Sequence, residues 1–202
     1  MVAQIADNIQ LIAIGASAGG VEALSILLQS LPQHCNYAVA IVLHMPPDRS
    51  SLLPELYQSR CALRIKEVED KEPVQAGTVY FAAPNYHMLI EPDLTFSLSM
   101  DAPGNYSRPA IDFLMDSAAY AYRQNMLAII LTGASVDGAA GLKEVRARGG
   151  LAWVQDPKQA ASPTMPAAAI ALAGADRIMS LAEIAAALGR LVNKDNITKT
   201  DK

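Results

Sequence analysis

What this 202-residue chain has little of sets the first limits on it. Its two cysteines, Cys35 and Cys61, have no neighbours at redox or metal-ligand spacing, which excludes a disulfide framework and reads as buried structural thiols. Charged residues make up only 18%, and 16 basic against 20 acidic side chains leave a formal charge of −4. With no Lys/Arg cluster and a pI near 5.3, a nucleic-acid or anionic-membrane surface is not expected. No apolar run approaches the roughly 20 residues that cross a bilayer. The stretch Ala167 to Ala173 is short and soon broken by Asp176 and Arg177. The amino terminus lacks a basic region ahead of its apolar residues, and Asp7 interrupts them, so no secretory signal is read. H-E-x-x-H and carboxylate clusters are missing too, so no metal and no cofactor are expected. These absences describe a cytoplasmic, reduced protein without membrane insertion.

Hydrophobic residues account for 51% of the chain, enough for a substantial core and too many for a disordered segment. One domain over residues 1–193 is expected, with a polar, frayed tail over 194–202 and no room for a second regulatory domain. Short apolar runs alternate with helix-length amphipathic segments, the pattern of βαβ units. Strand-like runs fall at Ile9 to Ile14, Ala38 to Leu43, Leu63 to Val68, Thr78 to Ala82, Met126 to Leu131 and Leu151 to Val154. His87 to Ser99 alternates in period two around Pro92-Asp93, a hairpin signal. Helices are read at 21–31, 51–60 (Ser50 or Ser51 as N-cap), 110–123, 139–148, 166–173 and 181–191. Residues 100–109 read as a surface loop. The expected fold is three-layer doubly wound α/β, its sheet mostly parallel with a β-hairpin at one edge.

Open α/β sheets bind ligands beyond the carboxyl ends of their strands. Three strands end there on reactive side chains: Ser17 in Gly15-Ala16-Ser17-Ala18-Gly19-Gly20, His44 after Leu43, and Asp137 in the turn Thr132 to Gly138. A hydroxyl, an imidazole and a carboxylate in equivalent positions are the parts of a serine hydrolase, with nucleophile, base and orienting group in that order. Gly15 to Gly19 matches G-x-S-x-G, which seats a nucleophile on a tight strand-to-helix turn. The Ser, His, Asp chain order differs from that of α/β-hydrolases. A glycine turn opening a helix also suits phosphate, so a non-catalytic nucleotide-binding or signalling adaptor is the rival reading. The dinucleotide fingerprint G-x-G-x-x-G fails, because Ser17 occupies its second glycine. His34 lies at the wrong end of the sheet and His87 reads as structural, which leaves His44 as base.

At these residues the sequence resembles the catalytic domain of bacterial chemotaxis protein-glutamate methylesterases. The resemblance spans about Ile12 to Leu191. It rests on Ile14 to Gly20, Leu43-His44-Met45-Pro46-Pro47, Gly77 to Pro84, Arg108-Pro109-Ala110-Ile111-Asp112, Leu131-Thr132-Gly133 with Asp137 to Gly141, and Gln155-Asp156 with Met165-Pro166. It implies hydrolysis of γ-glutamyl methyl esters on the cytoplasmic helices of methylated chemoreceptors, in some members with deamidation of receptor glutamines. It carries the nucleophile to Ser17, the base to His44 and the carboxylate to Asp137. Backbone N–H groups near Ala18 and the Ala134 turn are the expected oxyanion donors. Arg108 is read as a surface salt-bridge residue, with a substrate-carboxylate or loop-ordering role as the alternative, and Met165 as core. The chain departs from the family pattern at Ala18, commonly Thr, and at Ala134-Ser135, commonly Met-Gly, where a wider pocket or another ester substrate is implied. Regulated members carry an N-terminal receiver domain. With the catalytic motif beginning at Gly15, no receiver is expected here, and control falls to a separate regulatory protein if it exists.

Overall fold

The apolar runs become strands because β-branched and small residues alternate between two covered faces. The computed structural model describes residues 8–45 and 52–191. Strands β1 (Leu11–Ala16), β2 (Ala38–Leu43), β3 (Arg64–Glu67), β4 (Thr78–Phe81), β7 (Met126–Ile130), β8 (Leu151–Gln155) and β9 (Arg177–Met179) form one sheet in the order β3-β4-β2-β1-β7-β8-β9. Every pairing within it is parallel. The chain winds outward from β1 through β2 on one side, then returns to its other side through β7. The crevice therefore opens over the ends of these central strands.

Helices α1 (Gly20–Gln29) and α6 (Leu181–Leu188) cover one face, where Ile12, Ile14, Val39, Ile41, Leu127 and Ile129 meet Leu24, Leu27, Leu28, Ile184 and Leu188. Helices α3 (Ile111–Tyr122), α4 (Ala139–Ala147) and α5 (Thr164–Ala173) cover the other. That face offers small side chains, Ala13, Ala38, Ala40, Ala128 and Ala152, so the helices sit close on the sheet. The short α2 (Leu53–Gln58) carries Tyr57 against Phe81, ring centroids 5.7 Å apart.

Two expectations are adjusted. The hairpin, β5 (His87–Ile90) with β6 (Phe96–Ser99), exists at the expected turn but at neither edge of the large sheet. It is a separate two-stranded sheet, because Ile90 N–H donates to Ser117 Oγ of α3 and Met88, Ile90 and Phe96 enter the helical core. Strand β9 was not foreseen: three residues, none fully buried, pair only with β8. The N-cap assigned to Ser50 or Ser51, the Pro46-Pro47 pair and the tail after residue 193 lie outside the described residues. Among the described residues, no helix is long and apolar enough to cross a membrane.

Candidate active site

Parallel register places the three reactive positions side by side. Ala16 pairs with Leu43 across β1 and β2, and Gly15 with Ile130 across β1 and β7. The pairing continues past the strand ends. His44 N–H donates to Ala16 O at 3.0 Å, and Ser17 N–H donates to Thr132 O at 3.0 Å. Ser17, His44 and the turn bearing Asp137 thus leave three adjacent strands at one edge of the crevice.

The Ser17 turn is held from below by polar residues of the motifs. Thr132 Oγ1 donates to Ala18 O at 2.8 Å and accepts from Ser162 N–H at 2.8 Å, while Thr132 N–H donates to Gln155 Oε1 at 2.8 Å. Gly19 closes the turn with φ +79°, and a Cβ there would lie 2.7 Å from the Ala161 Cβ. Both backbone conformation and space therefore require glycine. Gly133 is confined differently: an added Cβ would sit 2.9 Å from Ser17 Cβ and 2.7 Å from the Met165 sulfur. Met165 is fully buried, as expected for a core residue, and also backs the Ser17 turn through Gly133. Ala18 and Ala134 are both exposed at the crevice, with no side chain that could close it. Among the described residues the N–H groups of Ala18 and Gly19 have no backbone acceptor, which leaves them available to an oxyanion.

Asp137 is fully buried and accepts at both oxygens. Oδ2 takes His44 Nε2–H at 2.8 Å and Ile111 N–H at 2.6 Å; Oδ1 takes Gly138 N–H at 3.0 Å, Asp112 N–H at 3.2 Å and Asn105 Nδ2 at 3.2 Å. Ile111 and Asp112 open α3 and Gly138 precedes α4, so two helix starts point their free N–H groups at one carboxylate. Burial pushes its acidity toward the neutral form, but the hydrogen bond from His44, the N–H groups and the His44 charge outweigh it. The net effect holds Asp137 below the ordinary carboxylate range. Neighbouring Asp112 moves the opposite way, raised first by burial and further by the Asp137 charge, against the lowering effect of Gly141 N–H. An ionised Asp137 accepts only, so Nε2 of His44 carries the hydrogen and Nδ1 keeps its lone pair.

Residues 104–109 supply parts of the site that the sequence reading passed over. Asn105 bridges Asp137 and Asp112, its Nδ2 lying 2.9 Å from Asp112 Oδ2. The Ser107 hydroxyl lies 3.3 Å from His44 Nδ1. Both ring nitrogens of His44 are therefore engaged, and Ser17 Oγ does not bond to the ring in this arrangement. Arg108 orders the loop: Nε and Nη2 donate to Asn85 Oδ1 at 3.0 and 2.8 Å, and Nη1 to the carbonyls of Met100 and Asp101. A cavity of about 190 Å³ beside the imidazole is lined by His44, Met45, Asn85, Tyr106, Ser107 and Arg108. The signal for Asn105 and Ser107 was their place immediately before the Arg108-Pro109 motif, which carries no chemistry until the chain is folded. The other histidines behave as read. His87 is fully buried, takes Ala110 N–H on Nδ1, donates from Nε2 to Ala102 O and stacks on Phe113. His34 is exposed ahead of β2.

A doubly wound parallel α/β fold with serine, histidine and buried aspartate at adjacent strand ends has the layout of a serine hydrolase. Residues 12–188 match the family model of the CheB methylesterase, and the chain belongs to that family. It is 42% identical over 184 residues to a Leptospira interrogans relative carrying the name protein-glutamate methylesterase/protein-glutamine glutaminase, covering 91% of this chain and 95% of that one. It is 39% identical to a Burkholderia lata enzyme of the same name, over 87% of this chain but only 49% of that longer protein. The crystal structure of the Thermotoga maritima CheB methylesterase catalytic domain superposes with a TM-score of 0.86 at 32% identity, covering 91% of this chain and 99% of that one.

Proposed function

We propose that this protein hydrolyses γ-glutamyl methyl esters on the cytoplasmic helices of chemoreceptors, with Ser17 as nucleophile, His44 as general base and Asp137 as orienting carboxylate. The observation that carries the reading is the buried Asp137 on His44 Nε2, with His44 and Ser17 each directly following one of the paired residues Leu43 and Ala16 of adjacent strands. In the reaction, the Ser17 hydroxyl proton passes to His44 Nδ1 as Ser17 Oγ attacks the ester carbonyl. The tetrahedral oxyanion is stabilised by backbone N–H groups of Ala18 and Gly19, each such donor worth on the order of 10²–10³ in rate. The proton on Nδ1 then goes to the departing methoxide, which leaves as methanol with Ser17 acylated. Water, deprotonated by the same nitrogen, attacks the acyl carbon, frees the glutamate and returns the proton to Ser17. Ammonia takes the place of methanol when the substrate is a glutamine side chain, the second activity in the relatives' names. The setting is the cytoplasm, where receptor signalling helices lie. A separate chain that covers the crevice is the form of regulation proposed.

Methanol release from a methylated receptor fragment tests this directly. Activity is expected in the wild type and lost in Ser17→Ala. Undiminished release by Ser17→Ala refutes the serine mechanism. Fluorophosphonate labelling at Ser17 separates an esterase from an adaptor that only kept the scaffold.

A further inference from the structure

His44 offers two ring nitrogens, and two different loops take one each. Asp137 lies on Nε2 at 2.8 Å, and Ser107 Oγ on Nδ1 at 3.3 Å. With the hydrogen on Nε2, the Ser107 hydroxyl donates into the Nδ1 lone pair. That lone pair is the one that must receive the Ser17 proton.

We propose that Ser107 is a positioning residue for the ester hydrolysis, its hydroxyl holding the resting His44 ring with Nδ1 turned into the crevice until Ser17 engages that nitrogen. This deepens the proposed function and rests on it. Asp137 alone holds only one end of the imidazole, and a ring bound at one nitrogen can still swing about that bond. The contact at 3.3 Å is at the long end for a hydrogen bond, so it orients the ring and yields readily to the nucleophile. No proton leaves Ser107: it donates a hydrogen bond to neutral Nδ1 and withdraws as the Ser17 proton arrives there.

The placement of Ser107 is built into the loop. Ser107 N–H donates to Gly104 O at 2.8 Å, and Gly104 N–H donates to Ser107 O at 3.1 Å. Between them Asn105 and Tyr106 are consecutive non-glycine residues at φ +48° and +62°, a backbone that persists only where its surroundings over-determine it. The surroundings do so on both sides, through Asn105 on Asp137 and Asp112 and Arg108 on Asn85. Tyr106 is left fully exposed, so the loop does not take this shape to bury its aromatic residue. The charged groups around the ring are Asp137 from the β7–α4 turn, Asp112 of α3 beyond Asn105, and Arg108 of the same loop.

Ser107→Ala and Ser107→Thr in the full chain test the proposal by rate and by nitrogen NMR of the histidine ring. In Ser107→Ala, kcat for methanol release is expected to fall roughly three- to tenfold, the share one neutral hydrogen bond carries. KM stays within about twofold, and Thr restores kcat. The Nδ1 resonance, which reports hydrogen bonding at that nitrogen, shifts in Ser107→Ala and returns in Ser107→Thr. An unshifted Nδ1 resonance overturns the proposal whatever the rates, as does a rate increase, which makes Ser107 a competitor of Ser17. A wild type that neither releases methanol nor labels at Ser17 refutes the proposed function instead, and the ring resonance still decides the Ser107 contact.

Discussion

Replacing Asp137 by Asn removes one acceptor from the most heavily solvated-by-protein group in the site. The carboxylate has two oxygens, and five donors converge on them: His44, Ile111, Asp112, Gly138 and Asn105. An Asn side chain has one oxygen and an NH2 group, so whichever way it turns, one set of donors faces another donor in a fully buried place. If the oxygen keeps the Oδ1 side, His44 and Ile111 lose their acceptor; if it keeps the Oδ2 side, Gly138, Asp112 and Asn105 do. Hydrogen bonds to a charged group contribute about 1.5–3 kcal/mol each, and two fully lost bonds bring the cost to about 3–6 kcal/mol. For a domain of this size that corresponds to a fall in Tm of roughly 6–24 °C. The pH dependence has a definite sign. Asp137 is held below its unfolded value, so its contribution is present above the ordinary carboxylate range and lost as pH falls through its folded value. The Tm gap between wild type and Asp137→Asn should therefore be full near pH 7 and narrow steadily below about pH 4. Circular-dichroism melts from pH 3 to pH 8 measure it. A gap under about 2 °C at pH 7, or one that widens on acidification, refutes the idea that a buried ionised carboxylate organises these turns. Activity is expected to fall on the order of 10³–10⁴-fold, because the amide can favour the wrong imidazole tautomer.

Gly133→Ala should push Ser17 or Met165 aside. With Ser17 Cβ 2.9 Å from the new methyl, a loss on the order of 10²-fold in fluorophosphonate labelling rate is expected, for about 1–3 kcal/mol of stability. Labelling at the wild-type rate would mean that the Thr132–Gly138 turn gives way instead. His87→Leu removes an acceptor from Ala110 N–H and a donor from Ala102 O in a buried place, and should cost about 2–4 kcal/mol in denaturant titration. Its rate per folded molecule should stay within about twofold of wild type; a selective loss of kcat would give His87 a part in the chemistry.

The strand ends were legible because β1, β2 and β7 are apolar runs buried on both faces, each followed within two residues by a polar side chain, Ser17, His44 and Thr132 respectively. Once a parallel sheet is inferred, Ser17, His44 and Asp137 must fall at one end. Short edge elements were less legible. Strand β9 contributes Arg177, Ile178 and Met179, with Ile178 exposed, so it carries no buried period; Asp176 holds it in place by accepting Ala152 N–H. The hairpin was read correctly as a hairpin and misplaced, since period-two alternation says which face is buried but not against what. Its partner is α3, through Ser117, a contact between residues 27 positions apart that no local pattern announces.

The loop over residues 100–109 shows the same limit in a form that bears on function. Polar, turn-rich sequence reads as a surface loop, and by composition it is one. Yet its Asn105 reaches the carboxylate at one end of the His44–Asp137 pair and its Ser107 reaches the imidazole at the other, while Arg108 ties both to Asn85 and the carbonyls of Met100 and Asp101. A segment that touches both members of the pair can carry a contact at the crevice mouth into the chemistry. Tyr106, between Asn105 and Ser107, is fully exposed. The backbone between Gly104 and Ser107 is closed by its own pair of hydrogen bonds. The loop and the His44–Asp137 pair are thus joined at two points, through Asn105 and through Ser107.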